Sequence, residues 1–380
     1  MHGLGRTPER STMYYYDDFG KAFKTELDFH EYLDEIDGRA QWLRIPAKKL
    51  RVLTMAEAPD ALKETPGMGD VLADTKKHTG LLLQCPQGVF PVGTTAVGTL
   101  KDRARIKGTA LSEVKTAVLA DILNECLKVA KGNALLRISE GKVRGVLSGD
   151  EADYAIISMP ELFMIASAYI SAGPDALFCH GYADHYLAQI TWQMSSSDLT
   201  KTYGELMEEH GKKPFGEIQV FIRVVSSDVG ASGANIFYSM MDGNHTIILG
   251  EALRIKHQYK RGLEEFTCNM ESLFQYYKQK LKDIGRLCDI QIRYPANTLS
   301  ELMKKQNFGK KLIAETVERF KAAFGEDPCS AYEVYCGLCE SLFFAKKHDS
   351  STAGLMKLEE KIARCIAVRW HDYDIPGALS

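Results

Sequence analysis

Residues 217–261 constrain the fold more than any other part of this 380-residue chain. Ile218, Val220, Ile222 and Val224 alternate with Glu217, Gln219, Phe221 and Arg223, so an extended backbone places the two sets on opposite faces. A small-residue loop, 226–233, follows, and the two-residue period resumes at Ile236, Tyr238 and Met240. Asp242-Gly243 signals a tight turn, and 245–249 reads as a third strand. A chain that alternates, turns and alternates again predicts an antiparallel sheet with one buried face. It leaves that sheet through a cationic run of Arg254, Lys256, His257, Tyr259, Lys260 and Arg261.

Upstream, residues 186–194 repeat the pattern, with Ala188, Ile190, Trp192 and Met194 against Gln189, Thr191 and Gln193. Residues 176–181 read as its neighbouring strand. Residues 134–138 and 143–147 form a hairpin over a Glu140-Gly141 turn, made cationic by Arg137, Lys142 and Arg144. Short strands at 81–83 and 89–90 flank a turn at 86–88. Ser112 is suited to cap a helix whose apolar stripe runs from Val118 to Ala130 and which Gly132 ends. Helices are also expected over 160–170 and 199–210.

Beyond Arg261 the period changes. Leu263, Phe266, Met270, Leu273, Tyr277, Leu281 and Ile284 recur by threes and fours, which suits either packing on the sheet or a coiled-coil contact. Helices near 298–306, 310–325, 331–347 and 352–371 follow, with Ser330 and Glu333 forming a capping box. The fold class is therefore α+β: a mainly antiparallel sheet with packed helices, followed by an α-helical C-terminal part. The division expected is an acidic, aromatic N-terminal segment (1–80), an α+β core (81–255) and a helical region (256–380). Within the first segment Tyr14, Tyr15, Tyr16, Phe19, Phe23, Phe29 and Tyr32 suggest a short helix laid on the core, or an arm docking on a neighbouring subunit.

Composition narrows the function classes. No apolar run approaches the roughly 20 residues needed to span a bilayer, so no membrane partner is expected. The first residues lack the apolar segment of a secretory signal. Nine cysteines, an odd number scattered through the chain, suggest reduced thiols and a cytoplasmic location. Net charge is only −3, so polyanion binding must come from local asymmetry. Residues 151–250 carry twelve acids against four Lys or Arg, whereas 251–321 is basic.

No catalytic signature, cofactor motif or paired metal-ligand motif is present: there is no P-loop, G-x-G-x-x-G or H-E-x-x-H, and Ser232 lacks nucleophile-elbow spacing. Cys336 and Cys339 have redox or zinc spacing, with Cys329, His348 or Cys365 as conceivable further ligands, but they fall inside a helix and read as core. His180, Asp184 and His185 resemble a metal-ligand cluster placed on a turn, where Asp and His also occur for backbone reasons. The 226–233 loop is either an anion-binding nest or a plain strand connection. What remains is the basic set Arg137, Lys142, Arg144, Arg254, Lys256, His257, Lys260 and Arg261, with Tyr259 among them. Cations follow a phosphate backbone, and aromatic faces stack unpaired bases, so the set leans toward single strands.

Leu135, Leu136, Arg137, Gly141, Val143, Arg144, Leu147, Ser148 and Tyr154 form a pattern that resembles the phage/plasmid-like domain-of-unknown-function 932 family. The segments around Ser226–Ser232, Arg254–His257 and Tyr332–Leu338 resemble further elements of that family in the same order, covering roughly residues 95–350. Ser226 stands where the family has Asn, and Asp228 where it has Glu. The resemblance implies a phage, prophage or plasmid gene in a bacterial host, and a layout similar to ring-forming single-strand annealing proteins. The expectation is a mobile-element protein, homo-oligomeric, that binds single-stranded DNA in recombination or replication without hydrolysis. The alternatives are an interaction protein (virion component or host-defence antagonist) and a metal-dependent enzyme using His180, Asp184 and His185.

Overall fold

A computed structural model describes residues 14–377, apart from 109, 173–175, 195–197, 256–261 and 349–351. In chain order the first elements are β1 (Gly20–Phe23), α1 (Glu26–Arg39), β2 (Gln41–Pro46), β3 (Arg51–Thr54), α2 (Asp60–Lys63), α3 (Met68–His78), β4 (Leu81–Cys85) and β5 (Gly88–Pro91). Then come α4 (Thr94–Arg103), α5 (Thr116–Lys128), β6 (Asn133–Ser139), β7 (Lys142–Ser148), α6 (Met159–Ser171), β8 (Ala176–Asp184), β9 (Ala188–Met194) and α7 (Asp198–Glu209). The alternating stretch supplies β10 (Ile218–Ser226), β11 (Ala234–Asp242), β12 (His245–Ile248) and β13 (Leu253–Ile255). The remainder is α8 (Gly262–Asp289), α9 (Pro295–Lys305), α10 (Lys310–Phe324), α11 (Ala331–Cys339), α12 (Ser341–Lys347) and α13 (Thr352–Arg364), with a two-residue strand pair at 291–292 and 329–330.

The main sheet has the order β1-β8-β9-β10-β11-β12, with β13 also on β11, and every pairing is antiparallel. Its inner face is the apolar half of each alternation: Ile190, Trp192, Val220, Ile222, Val224, Ile236, Tyr238 and Met240 are all buried. α8 lies against that face. Its seam residues Phe266, Met270, Leu273, Tyr277, Leu281 and Ile284 are buried in the same cluster, Tyr277 stacks near Tyr238 (ring centroids 4.3 Å apart), and its hydroxyl donates to the Ile236 carbonyl at 2.9 Å. The near-heptad spacing therefore serves sheet packing and not a coiled coil. Each such side chain contributes about 1.5–3 kcal/mol on burial.

A second core lies between two three-stranded sheets, β2-β6-β7 and β3-β4-β5, and helices α4 and α5. The β6–β7 hairpin turns at Glu140 and Gly141, both with positive φ (49° and 70°), the two-residue geometry that matches strand twist. Three sequence expectations change. The first 80 residues hold three strands, with β1 pairing β8 and β2 pairing β6, partners too distant to be read locally. Ser112 ends a 3-10 turn, and the helix begins at Thr116. The helix expected over 331–347 is two, meeting at Glu340. Among the described residues, no helix is long and apolar enough to cross a membrane.

Candidate binding groove

Among the described residues, the predicted cationic groove is not assembled. Arg137, Lys142 and Arg144 are fully buried, because β6 and β7 are covered by the second core on one face and by residues 14–18 and the 226–233 loop on the other. A buried charge is tolerated only with a partner, and each has one. Arg137 Nε donates to Asp228 Oδ2 at 2.5 Å. Lys142 Nζ sits between Asp17 Oδ1 (3.1 Å) and Asp74 Oδ2 (2.6 Å). Arg144 donates to Asp17 Oδ1 (2.6 Å) and to the Tyr14 and Tyr15 carbonyls (3.0 and 2.9 Å). These three side chains bind carboxylates of their own chain, which corrects their assignment as phosphate ligands. Arg254 is half-exposed on β13 and pairs with Glu360 at 2.7 Å. Lys256, His257, Tyr259, Lys260 and Arg261 lie outside the described residues.

The other sequence candidates also resolve into structure. In the 226–233 loop, Ser227 Oγ accepts from the Val229 and Ala231 amides, and Asp228 holds Arg137, so the loop is a braced strand connection and not an anion nest. Cys336 and Cys339 are buried in α11; burial pushes both thiols up, Cys339 to about 12, far from the thiolate that redox or zinc chemistry needs. His180, Asp184 and His185 do not converge. Asp184 Oδ1 accepts from the Tyr186 and Leu187 amides, closing the β8–β9 turn. His185 Nε2 donates to the Tyr16 carbonyl at 2.6 Å; burial, then nearby Arg144, holds its pKa well below the usual value, so it is neutral. Among the described residues, Asp17, Asp74 and His78 approach a metal-like cluster, but the Lys142 ammonium occupies the position between the two carboxylates.

The open site is on the outer face of the main sheet. There the polar half of the alternation points away from α8, and helices α12 and α13 stand over it, leaving a cavity of about 630 Å³. Strand register orders this sheet face into rows. Leu177, Gln193, Phe221 and Ser239 form one; His180, Thr191, Arg223 and Phe237 form the next; Gln189, Val225 and Asn235 form the third. The third row is closed over by the cluster of Leu187, Val225, Phe237, Ala252 and Met356. α13 is held there by ion pairs from Glu359 to Arg223, Glu360 to Arg254 and Arg364 to Glu251. Phe343 of α12, on the roof, is 63% exposed.

Several floor groups lack a hydrogen-bond partner although buried: Gln189 Oε1, Thr191 Oγ1 and Arg223 Nε. Arg223 is otherwise engaged, its Nη2 donating to Glu359 and its guanidinium over the Phe237 ring at 4.6 Å. Charges lining the cavity are balanced, Arg223 and Lys346 against Glu340 and Glu359. Burial, then Arg223 and Lys346, lowers the pKa of His180. Sequence reasoning read Gln189, Thr191, Phe221 and Arg223 as the solvated face; an aromatic ring and an arginine amid that polar alternation were the available signal. The chain matches no known family profile, no curated protein and no solved structure.

Proposed function

We propose that this chain is a non-catalytic binding protein whose groove on the outer sheet face receives an extended segment of a partner protein. The observation that carries the reading is the groove itself, a cavity of about 630 Å³ with the exposed Phe343 ring at its rim, polar and apolar side chains along its floor, and balanced lining charge. Sites of this size and make-up are the usual receptors for a few apolar anchors plus oriented polar contacts. A polyanion gains little there, since two cations face two carboxylates and its affinity rests on releasing counterions through many cation contacts. The reading accords with the alternative of an interaction protein, a virion component or host-defence antagonist; the family resemblance implies only the mobile-element setting.

A photo-crosslinking side chain placed at Phe343 tests it, with Val129, exposed on the second core, as control. A discrete protein adduct at 343 and none at 129 is the expected result. No adduct at 343 in cells where the protein acts sinks the reading.

A second reading, binding of single-stranded DNA in recombination or replication, draws on half-exposed Arg254 and the cationic residues that follow it in sequence. Fluorescence anisotropy with labelled single-stranded DNA at two salt concentrations tests it. Changing Arg254, Lys256, Lys260 and Arg261 together to Ala is expected to lower affinity and flatten its salt dependence. Wild-type binding by that variant removes the support.

A further inference from the structure

We infer that the partner segment is acidic where it leaves the groove: a run of Asp or Glu crosses a lysine surface made by Lys310 and Lys311 of α10, Lys346 and Lys347 of α12, and Lys357 and Lys361 of α13. This rests on the groove being a peptide site and names the chemistry of the part of the partner that lies outside it.

The start of α10 gathers these lysines. Lys361 Nζ donates to the carbonyl of Asn307, just before that helix, at 2.9 Å, and Lys357 lies one turn earlier on the same face of α13. Lys311 Nζ lies 3.4 Å from Nδ1 of His348, at the end of α12. A hydrogen bond from His348, with Lys311 and Lys347 nearby, holds the Glu315 carboxyl below its usual range, so the last turn of α12 faces the first turns of α10. Lys346, next to Lys347, lines the groove whose rim carries Phe343. A chain that emerges past Phe343 and Lys346 therefore meets Lys347 and Lys311 next.

The charge there is not balanced from within. Five of the six lysines are exposed and Lys361 is half-buried, and among the described residues none pairs with a carboxylate. Of the carboxylates on these three helices, Glu315 pairs with His348, Glu359 with Arg223 and Glu360 with Arg254, which leaves only Glu318. Lys346, Lys347 and Lys361 lie in last turns, where the helix dipole favours a cation. Lys310 and Lys311 occupy the first turn of α10, where the dipole opposes them and no acid accompanies them. Two cations placed against their own helix are relieved by carboxylates arriving from outside. The groove's own charges are balanced, so its occupant is neutral along one part and negative beyond it, which suits a peptide and not a polynucleotide, negative throughout.

The test is an array of random heptapeptides, each made with a short Glu, Ser or Lys tail at either end. It is probed with the full chain, with the double variant K310E/K311E and with F343S. The double variant puts acids where the α10 dipole favours them, so its urea midpoint is expected at or above that of wild type. A subset of heptapeptides is expected to be retained, with Glu tails about tenfold better than Ser tails, from several exposed ion pairs each worth a factor of about two. That preference is expected to shrink below about twofold at about 0.5 M salt. It is expected to reverse in K310E/K311E, which keeps the Ser-tailed set. Glu and Ser tails retained equally by wild type overturn the acidic-segment inference while leaving a peptide groove. Glu tails retained on every heptapeptide alike, undiminished in F343S, overturn it as well, because the lysines then act apart from the groove. A labelled single-stranded oligonucleotide that displaces the Glu-tailed peptides at lower concentration, and whose binding K310E/K311E abolishes, gives the surface to nucleic acid and overturns it. If the wild-type chain retains no peptide, the inference and the groove reading fall together.

Discussion

Replacing Asp17 by Asn probes the ion-pair network that displaced the predicted phosphate site. The Asp17 carboxylate is buried and accepts from Lys142 Nζ (3.1 Å), Arg144 Nη1 (2.6 Å) and the Thr94 amide (2.9 Å). Asn keeps the shape and removes the charge, leaving two buried cations short of an anion. Breaking a buried pair costs about 3–5 kcal/mol. Lys142 keeps Asp74, and Arg144 keeps two carbonyls, so D17N is placed at the low end, about 3 kcal/mol, or roughly a hundredfold in the folding equilibrium. R254A breaks the half-exposed pair with Glu360 and is expected to cost under about 1 kcal/mol. Urea unfolding followed by tryptophan fluorescence and circular dichroism reads both. At about 1 M salt, where the screening length falls to roughly 3 Å, the R254A effect is expected to vanish and the D17N effect to persist. A D17N cost below 1 kcal/mol, or one that salt removes, refutes the view that these cations are structural.

Further outcomes follow from single residues. Because His185 is held neutral when folded, the unfolded chain takes up its proton first as pH falls. Stability is then unaffected above about pH 6.5 and declines below it by at most about 1.4 kcal/mol per pH unit, a slope that H185Q is expected to remove in pH-dependent urea titrations. A thiol reagent is expected to label exposed Cys179 and Cys268 rapidly, and Cys336 and Cys339 only on global unfolding; fast labelling of the latter pair contradicts their burial. E140N is expected to stabilise by about 0.5 kcal/mol, since Asn tolerates the left-handed φ of 49° and the exposed pair with Arg39 is worth little; a loss of stability counts against the turn geometry. F343S is expected to leave unfolding midpoints within about 0.5 kcal/mol of wild type, since the ring is mostly exposed.

The sequence by itself determined which backbone groups form strands and helices in the middle and end of the chain, and which faces turn inward. Alternation from Ile218 to Met240 and the spacing from Leu263 to Ile284 are local consequences of how side chains project from a strand or helix, and both lie in the core as their periods require. Only the tertiary structure decided what the charged residues do. Lys142 and Asp17 are 125 positions apart, Arg137 and Asp228 91 apart, and no local rule signals that such residues meet. Arg137, Lys142 and Arg144 looked like surface cations because a hairpin read alone has an exposed face; residues 14–18 cover it. The groove is hidden from sequence for the same reason. Its floor comes from five strands and its roof from helices far along the chain, so its row of Thr191, Arg223 and His180 exists only once register and packing bring them side by side.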